Sequence, residues 1–343
     1  MERAARTRYS RNMLTLFILH GDGQVTREYS EAALCAALRD ATCTFWLDMH
    51  KPTDEEIALL DDVFGFHPLA IEDTINYAQR PKIESYNHVG DTVTTGYFYM
   101  VFHGPDLATF RESLRTKELD LFVSSRYLVT IHDEEMKSVL TVLNRAAADP
   151  AGILARGTDL LLHNILDHLV DHYEPILDYL EEALDDLEER ALNDPQPSVL
   201  GEIASKKKEL LNLRRIVGPQ REVVAQLTRG EVPFIRESTR IYLRDVQDHL
   251  IRVVEMIELY RDLVLGSRDI YLSSIGNNTN QVMKTLTIIN VIGLPLTVIT
   301  GFFGMNYFDT EGLHRQTAFW VTVGVMVAAV TGLLTFFRVQ KWI

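Results

Sequence analysis

The sequence predicts a membrane protein of α+β/α class. Its parts are an N-terminal α/β domain, a helical hairpin, one very long stalk helix continuing into a first transmembrane helix, and a second transmembrane helix at the C-terminus. Three observations predict it. Strand and helix patterns alternate over roughly the first 135 residues. Helical periodicity takes over from about Asp159. Two long uncharged runs close the 343-residue chain.

LTLFILH, CTFWLDMH, TVTTGYFYMVFH, ELDLFVSS and RYLVTIHD are rich in β-branched and aromatic residues and read as strands. TDEEIALLDDVF opens with Thr53 and Glu56 at capping-box spacing and reads as a helix. LFVSSRYLVTI predicts a hairpin turning at Ser124 and Ser125. In DHLVDHYEPILDYLEEALDDLEER, the residues Leu169, Val170, Tyr173, Ile176, Leu177, Leu180, Leu184 and Leu187 share one helical face. ALNDPQPS interrupts it, and a return helix carrying Lys206, Lys207 and Lys208 pairs back. Residues 1–233 thus form an α/β domain that includes a helical hairpin over about 159–229.

Composition narrows the class. Apolar residues make up 46% and charged residues 24%, which suits a globular chain. The two cysteines, Cys35 in a predicted helix and Cys43 in a predicted strand, exclude a disulfide framework or a four-cysteine zinc site and point to a reducing compartment. The basic start MERAARTRYSRNM is followed by no apolar signal core, so no secretory leader is expected. The net charge is −14, unevenly placed. Lys284, Arg315, Arg338 and Lys341 outweigh Asp309 and Glu311 after residue 280, leaving +2 there and −16 before it. So acidic a soluble part argues against a nucleic-acid partner and is compatible with binding cations. No GxxxxGK[ST] run offers a nucleotide site.

Residues 317–337 are 21 consecutive uncharged residues, enough to cross about 30 Å of hydrocarbon. Residues 285–303 are a second uncharged run of 19. Lys284 precedes the first run, and Arg338 and Lys341 follow the second. Positive flanks favour the cytoplasmic side, so both termini and the acidic domain are placed there, in a multi-pass protein of the plasma (inner) membrane. No proline falls between Pro233 and Pro295. One helix of about 100 Å can therefore run from about Ile235 to the end of the first span. This divides the rest of the chain into a stalk (234–281), a first transmembrane helix (282–303), an outer loop (304–316), a second transmembrane helix (317–337) and a tail (338–343).

The first span carries a row of polar or small residues. Steps of three and four pass through Asp269, Ser273, Gly276, Asn280, Met283, Thr287, Asn290, Leu294, Thr297, Gly301 and Gly304. Such a row lies on one helix face and needs partners or water inside a bilayer. Close packing of helices through small residues is one reading. A pore wall built from several copies of this helix is the other, in which Met283 and Leu294 form constrictions able to gate by dewetting. Asn280 and Asn290 favour the pore, because an asparagine facing lipid is costly.

VMKTLTIINVIGLPLTVITGFFGMN resembles the first transmembrane helix of the CorA magnesium/cobalt transporter family. Gly304, Met305 and Asn306 match the family's Gly-Met-Asn signature at the same place, before a short outer loop and a second span. YLRDVQDH, RDIYLSSIGNNTNQVMK, HPLAIEDTINYAQRPKIE, IVGPQREVV and the terminal KWI extend the resemblance over most of the chain. The resemblance implies a homopentameric channel, funnel-shaped, with a cytoplasmic α/β domain. It implies that five Asn306 side chains form the selectivity filter with Gly304 and Met305 and hold a hydrated cation. Mg2+ dehydrates reluctantly, and neutral amide oxygens can accept hydrogen bonds from its waters. Where relatives carry an MPEL-like segment, this loop reads YFDTEGLHRQ, in which Asp309 and Glu311 concentrate cations at the outer mouth. The loop lacks the glycine-rich continuation of the zinc-transporting ZntB branch, so Mg2+ is expected ahead of zinc.

The resemblance further implies that Glu72 and Asp73 of IEDTIN meet Asp245 of YLRDVQDH across a subunit interface and bind a regulatory divalent cation, with Asp171 contributing a second site. Cytoplasmic Mg2+ would then hold the pentamer closed. His168 and His172, at helical i,i+4 spacing, can form a zinc site or an ordinary polar face, and His314 can ligate a metal or be solvated. The expected function is uptake of Mg2+, with Co2+ or Ni2+ also carried, driven by the membrane potential. It needs no covalent chemistry, so no enzymatic activity is expected. Two alternatives stand beside it: a zinc transporter on the same scaffold, with or without proton coupling, and a membrane-anchored cytoplasmic binding or signalling protein.

Overall fold

The computed structural model describes residues 13–76, 80–86, 96–304 and 315–342. Two compact units emerge: residues 1–188 with 200–267, and residues 189–199 with 268–343. The tip of the helical hairpin groups with the C-terminal unit, which the sequence boundaries do not anticipate.

The first unit is built on a seven-stranded sheet. Its strands are β1 (Met13–Leu19), β2 (Val25–Thr26), β3 (Thr44–His50), β4 (Lys82–Tyr86), β5 (Tyr97–Pro105), β6 (Thr116–Val123) and β7 (Tyr127–His132). Their order is β2-β1-β3-β7-β6-β5-β4. Only β3 and β7 pair in parallel; the other pairs are antiparallel. The predicted hairpin joins β6 to β7, closed by Ser124 N–H donating to the Tyr127 carbonyl at 2.9 Å. Cys43 lies just before β3 rather than within it. β4 follows Pro81 and carries only Ile83 and Tyr86 as apolar residues, too weak a pattern to predict from sequence.

β3 and β5 are apolar on both faces because helices cover both. On one face lie α1 (Glu31–Arg39), α2 (Asp54–Ile57), α3 (Leu59–Asp62) and α4 (Pro68–Ile75). Leu34, Leu38, Leu60, Phe64 and Phe66 pack there with Phe45, Leu47, Tyr99, Phe122 and Tyr127. Phe66 stacks on Phe122 with ring centroids 4.2 Å apart. The capping box of α2 forms as predicted: Thr53 Oγ1 accepts from Glu56 N–H and Glu56 Oε2 from Thr53 N–H. On the other face lie α5 (Lys137–Ala148), α6 (Pro150–Leu154) and α7 (Thr158–Asp171). Gly104 of β5 sits so close to α7 that a Cβ there would strike Leu169.

The helix predicted through residues 169–187 is broken. α7 ends at Asp171, and α8 (Glu174–Asn193) begins a residue before Pro175, which is tolerated only in a first helical turn. The predicted face stays buried across the break. α9 (Pro197–Arg229) returns, and the Lys206 ammonium lies 5.5 Å from the Tyr179 ring centre. Gln220 of α9 ties the hairpin to the sheet, accepting from His103 N–H at 2.6 Å and donating to Tyr173 Oη at 3.2 Å.

α10 (Glu237–Gly304) is continuous over 68 residues, as the proline-free stretch predicts. Its start is fixed by Asp159, which is only 2% exposed. The Asp159 carboxylate accepts from Arg236 N–H at 3.1 Å, Arg236 Nε at 2.9 Å, Thr239 Oγ1 at 2.7 Å and Leu160 N–H at 3.0 Å. Gly157, at φ +94°, and Phe234, at φ +68°, shape the chain around this contact. Hydrogen bonds to Arg236 and Thr239 outweigh burial and hold the Asp159 carboxyl below its ordinary pKa. The clamp therefore stabilises above the ordinary carboxyl value of 3.8 and is lost as pH falls through the folded pKa. Arg236→Ala strands a buried carboxylate, whereas Asp159→Asn keeps an acceptor. Arg236→Ala should cost about 3 kcal/mol and Asp159→Asn about 1 kcal/mol, read as a larger fall in melting temperature for the former.

Candidate functional site

The second half of α10 and α11 (Arg315–Val339) are long and apolar enough to cross a membrane, and the apolar window of each holds no fully buried residue in the single chain. Along α10 the half-buried residues are Lys284, Ile288, Ile292, Pro295, Leu296 and Ile299, which recur at helical spacing. α11 has a matching half-buried face through Thr322, Met326, Ala329, Leu333 and the buried Phe337. At one end the Lys284 ammonium donates to the Lys341 carbonyl at 3.2 Å and lies 5.8 Å from the Trp342 ring. Asp269, Asn280, Met283, Thr287, Asn290, Leu294, Thr297 and Gly301 are all exposed, on a face of α10 turned away from the half-buried one. Thr287 and Thr297 donate to the carbonyls of Met283 and Gly293, at 2.8 and 3.0 Å. No such intrahelical partner serves the side chains of Asn280 and Asn290 among the described residues. Gly304 closes α10; Met305, Asn306, Asp309, Glu311 and His314 lie outside the described residues.

The acidic residues singled out in the sequence occupy α4, α7 and α10. Glu72 and Asp245 are exposed. Asp73, expected to receive a cation, already has a positive partner within its own chain. It pairs with the Lys82 ammonium of β4, which also reaches Glu84 Oε1 at 3.1 Å and lies 5.6 Å from the Tyr99 ring. Tyr86 donates to the other Glu84 oxygen at 2.6 Å. Beneath them Asp120, fully buried, accepts from Tyr99 Oη at 2.5 Å. Burial pushes the Asp120 carboxyl well above the ordinary 3.8, against the opposing effect of the Tyr99 hydrogen bond.

Asp171 has a different neighbourhood. Its carboxylate, with those of Asp167 and the imidazole of His168, forms a cluster whose ligand atoms lie within 4.8 Å of one another. His249 of α10 approaches from the side, with Nδ1 3.6 Å from Asp171 Oδ1. Burial, then the adjacent Asp171 charge, raises the Asp167 pKa. The four groups offer mixed nitrogen and oxygen donors of the kind that suits a divalent cation. His172 caps α7 and lines another cavity with Lys117 and Lys137, so His168 groups with the two aspartates.

Residues 43–339 match the family model described as CorA-like Mg2+ transporter protein. The chain belongs to that family. The cobalt/magnesium transport protein CorA of Thermotoga maritima is 32% identical over 311 residues, covering 89% of this chain and 85% of that one. The zinc transport protein ZntB of Yersinia pseudotuberculosis is 24% identical over 313 residues, covering 90% of each. The structure of the CorA magnesium transporter from Methanocaldococcus jannaschii superposes with a TM-score of 0.79 at 22% identity, covering 97% of this chain and 99% of that one. The fold of this CorA-family chain is therefore that of a full-length CorA: an α/β domain, a long helix with an apolar span, and a second apolar helix.

Sequence reasoning missed Lys82, Asp120, Asp167 and His249. For Asp120 a signal existed: one carboxylate inside the apolar strand LDLF. Asp167 was legible as well, one helical turn before Asp171 and next to His168, whereas Lys82 and His249 are brought to their partners from other elements. Asp120 yields a signed test. A raised folded pKa means that the folded state holds its proton more tightly, so stability falls as pH climbs above 3.8. Asp120→Asn mimics the protonated form. It should melt at or above wild type at neutral pH and should lose part of the decline in melting temperature between about pH 4 and pH 7.

Proposed function

We propose that this CorA-family divalent metal ion transporter works as a homopentameric channel for hydrated Mg2+, with Co2+ and Ni2+ also carried. The observation that carries the reading is the exposed row on α10 from Asn280 to Gly301, turned away from the face that is half-buried within the protomer. In a bilayer that row needs water or further copies of the helix. Five copies around an axis supply both: small residues let the helices approach, and the two asparagine rings face a water column. Exposed Met283 and Leu294, 60% and 68% accessible, fall on the same row and form its dry constrictions.

Asn306, at the outer end of the row, accepts hydrogen bonds from the waters of the incoming ion, while Asp309 and Glu311 raise cation concentration at the mouth. The inside-negative potential contributes about 4.6 kcal/mol per doubly charged ion at roughly 100 mV, so uptake needs no nucleotide. Both termini face the cytoplasm in the inner membrane. Asp73 and Glu72 of one subunit and Asp245 of its neighbour hold a regulatory cation, and the cluster around Asp171 holds a second. Filled sites cancel carboxylate repulsion between subunits and favour the closed state.

The test is cation uptake into liposomes under an inside-negative potential. Wild type should admit Mg2+, and Asn306→Ala should lose most of that flux while remaining pentameric. Unchanged flux in the variant would remove Asn306 from the filter. A second reading has its own support: the mixed donor set of Asp167, His168, Asp171 and His249 suits transition metals as well as Mg2+. Zn2+ uptake without Mg2+ uptake, measured at varied pH, would favour a zinc transporter.

A further inference from the structure

The regulatory reading leaves one physical difficulty. Asp73, the carboxylate meant to receive a cation, already has one. The Lys82 ammonium is seated on it within the same chain. This contact is built rather than casual. Lys82 opens β4, paired in register with Val101 of β5. Its side chain is only 28% exposed, and its ammonium bridges Asp73 to Glu84. Below it lies the ring of Tyr99, whose hydroxyl is committed to Asp120. The groups around the ammonium are thus Asp73 from α4, Glu84 and Tyr86 from β4, Tyr99 from β5 and Asp120 from β6, with His67 acting on Glu84. Two exposed or half-exposed carboxylates share one fixed positive charge.

We propose that Lys82 is a built-in competitor for Asp73: a divalent cation reaches Asp73 only when the ammonium shifts onto Glu84, so Lys82 sets the cation concentration at which the site fills. Coulomb repulsion between the ammonium and a divalent ion makes the two occupants mutually exclusive at one carboxylate oxygen. Glu84 makes the exchange possible, because it already holds the ammonium at 3.1 Å and keeps it paired after Asp73 is vacated. Tyr86 steadies Glu84 through its second oxygen. Without such a competitor, an acidic site would stay filled at low cation concentration and could not respond to changes near its working range. The inference rests on the regulatory reading of Asp73 given above.

The test uses the full chain in detergent and Mg2+ itself, reading the Mg2+ concentration that gives half the maximal rise in melting temperature. Lys82→Met keeps the stem and removes the charge. It should lower that concentration about tenfold or more, the scale on which one neighbouring charge alters a carboxylate's affinity for a proton. Lys82→Arg should stay within about threefold of wild type, since its charge remains. Glu84→Gln should move the concentration upward, because the ammonium loses its alternative seat. Opposite shifts for Lys82→Met and Glu84→Gln support competition. A brace that merely shapes the site would move both the same way or not at all, and that result overturns the proposal. Lys82→Gln replaces Lys82→Met if the latter fails to fold. Asp73→Asn separates the two layers. Loss of the Mg2+ response in Asp73→Asn with no tightening in Lys82→Met overturns the role of Lys82 alone. A full Mg2+ response in Asp73→Asn overturns the regulatory reading and the competitor with it.

Discussion

A helix that carries an asparagine, Asn290, into about 30 Å of hydrocarbon must give it partners. That constraint organises this chain. Asn280 and Asn290 stand on a face of α10 that the protomer leaves open, while the face through Ile288, Ile292 and Ile299 is half-buried. The threonines of the same span hide their hydroxyls against carbonyls one turn back, a solution that asparagine's larger amide does not share here. A single copy is therefore incomplete in a membrane. The family to which the chain belongs is one of transporters, and in the proposed channel a wet axis between copies satisfies the amides and lets an ion through.

The soluble unit is organised around the start of the same helix. Asp159 gathers Arg236, Thr239 and two backbone amides at the point where α10 begins, and Thr158 beside it donates to the Ser124 carbonyl at 2.6 Å at the end of β6. The helix is thereby tied to the sheet rather than merely packed on it. Further along, Arg214 of α9 pairs with Glu258 at 2.8 Å, and Tyr260 donates to Glu181 of α8 at 3.4 Å. The carboxylates of the sensing proposal sit on the surfaces so organised: Asp245 on α10, Asp171 beside His249, and Asp73 under the control of Lys82. Charge does different work at Asp159, Asp120 and Asp73. At Asp159 it locks, at Asp120 burial favours the neutral form, and at Asp73 it is held in exchangeable form.

What was legible in the sequence was local or periodic. The Thr53–Glu56 cap, the Ser124 turn, the absence of proline before Pro295 and the two apolar runs each depend on neighbours within a few residues. The row on α10 is periodic and was legible too. Most of what escaped depends on contacts between different elements, Asp167 on the same helix as Asp171 being the exception. Asp159 and Arg236 are 77 residues apart, and Asp171 meets His249 only because α7 lies against α10. Lys82 is nine residues from Asp73, yet no helical or strand period links them, since Asp73 belongs to α4 and Lys82 to β4. The break at His172 was written in Pro175 but masked by apolar residues that keep their phase on both sides.

The most direct measurement of the central claim is water accessibility along α10 in a bilayer. Single cysteines would replace Thr287, Asn290, Leu294 and Thr297 on the row, and Ile289, Ile292 and Leu296 off it, in a background lacking Cys35 and Cys43. Labelling with a small membrane-impermeant thiol reagent is then compared position by position. A pore wall predicts reaction at the four row positions, least at Leu294, and protection at the other three. Protection of both sets, or equal labelling of both, would contradict a water-filled axis lined by this face of the helix.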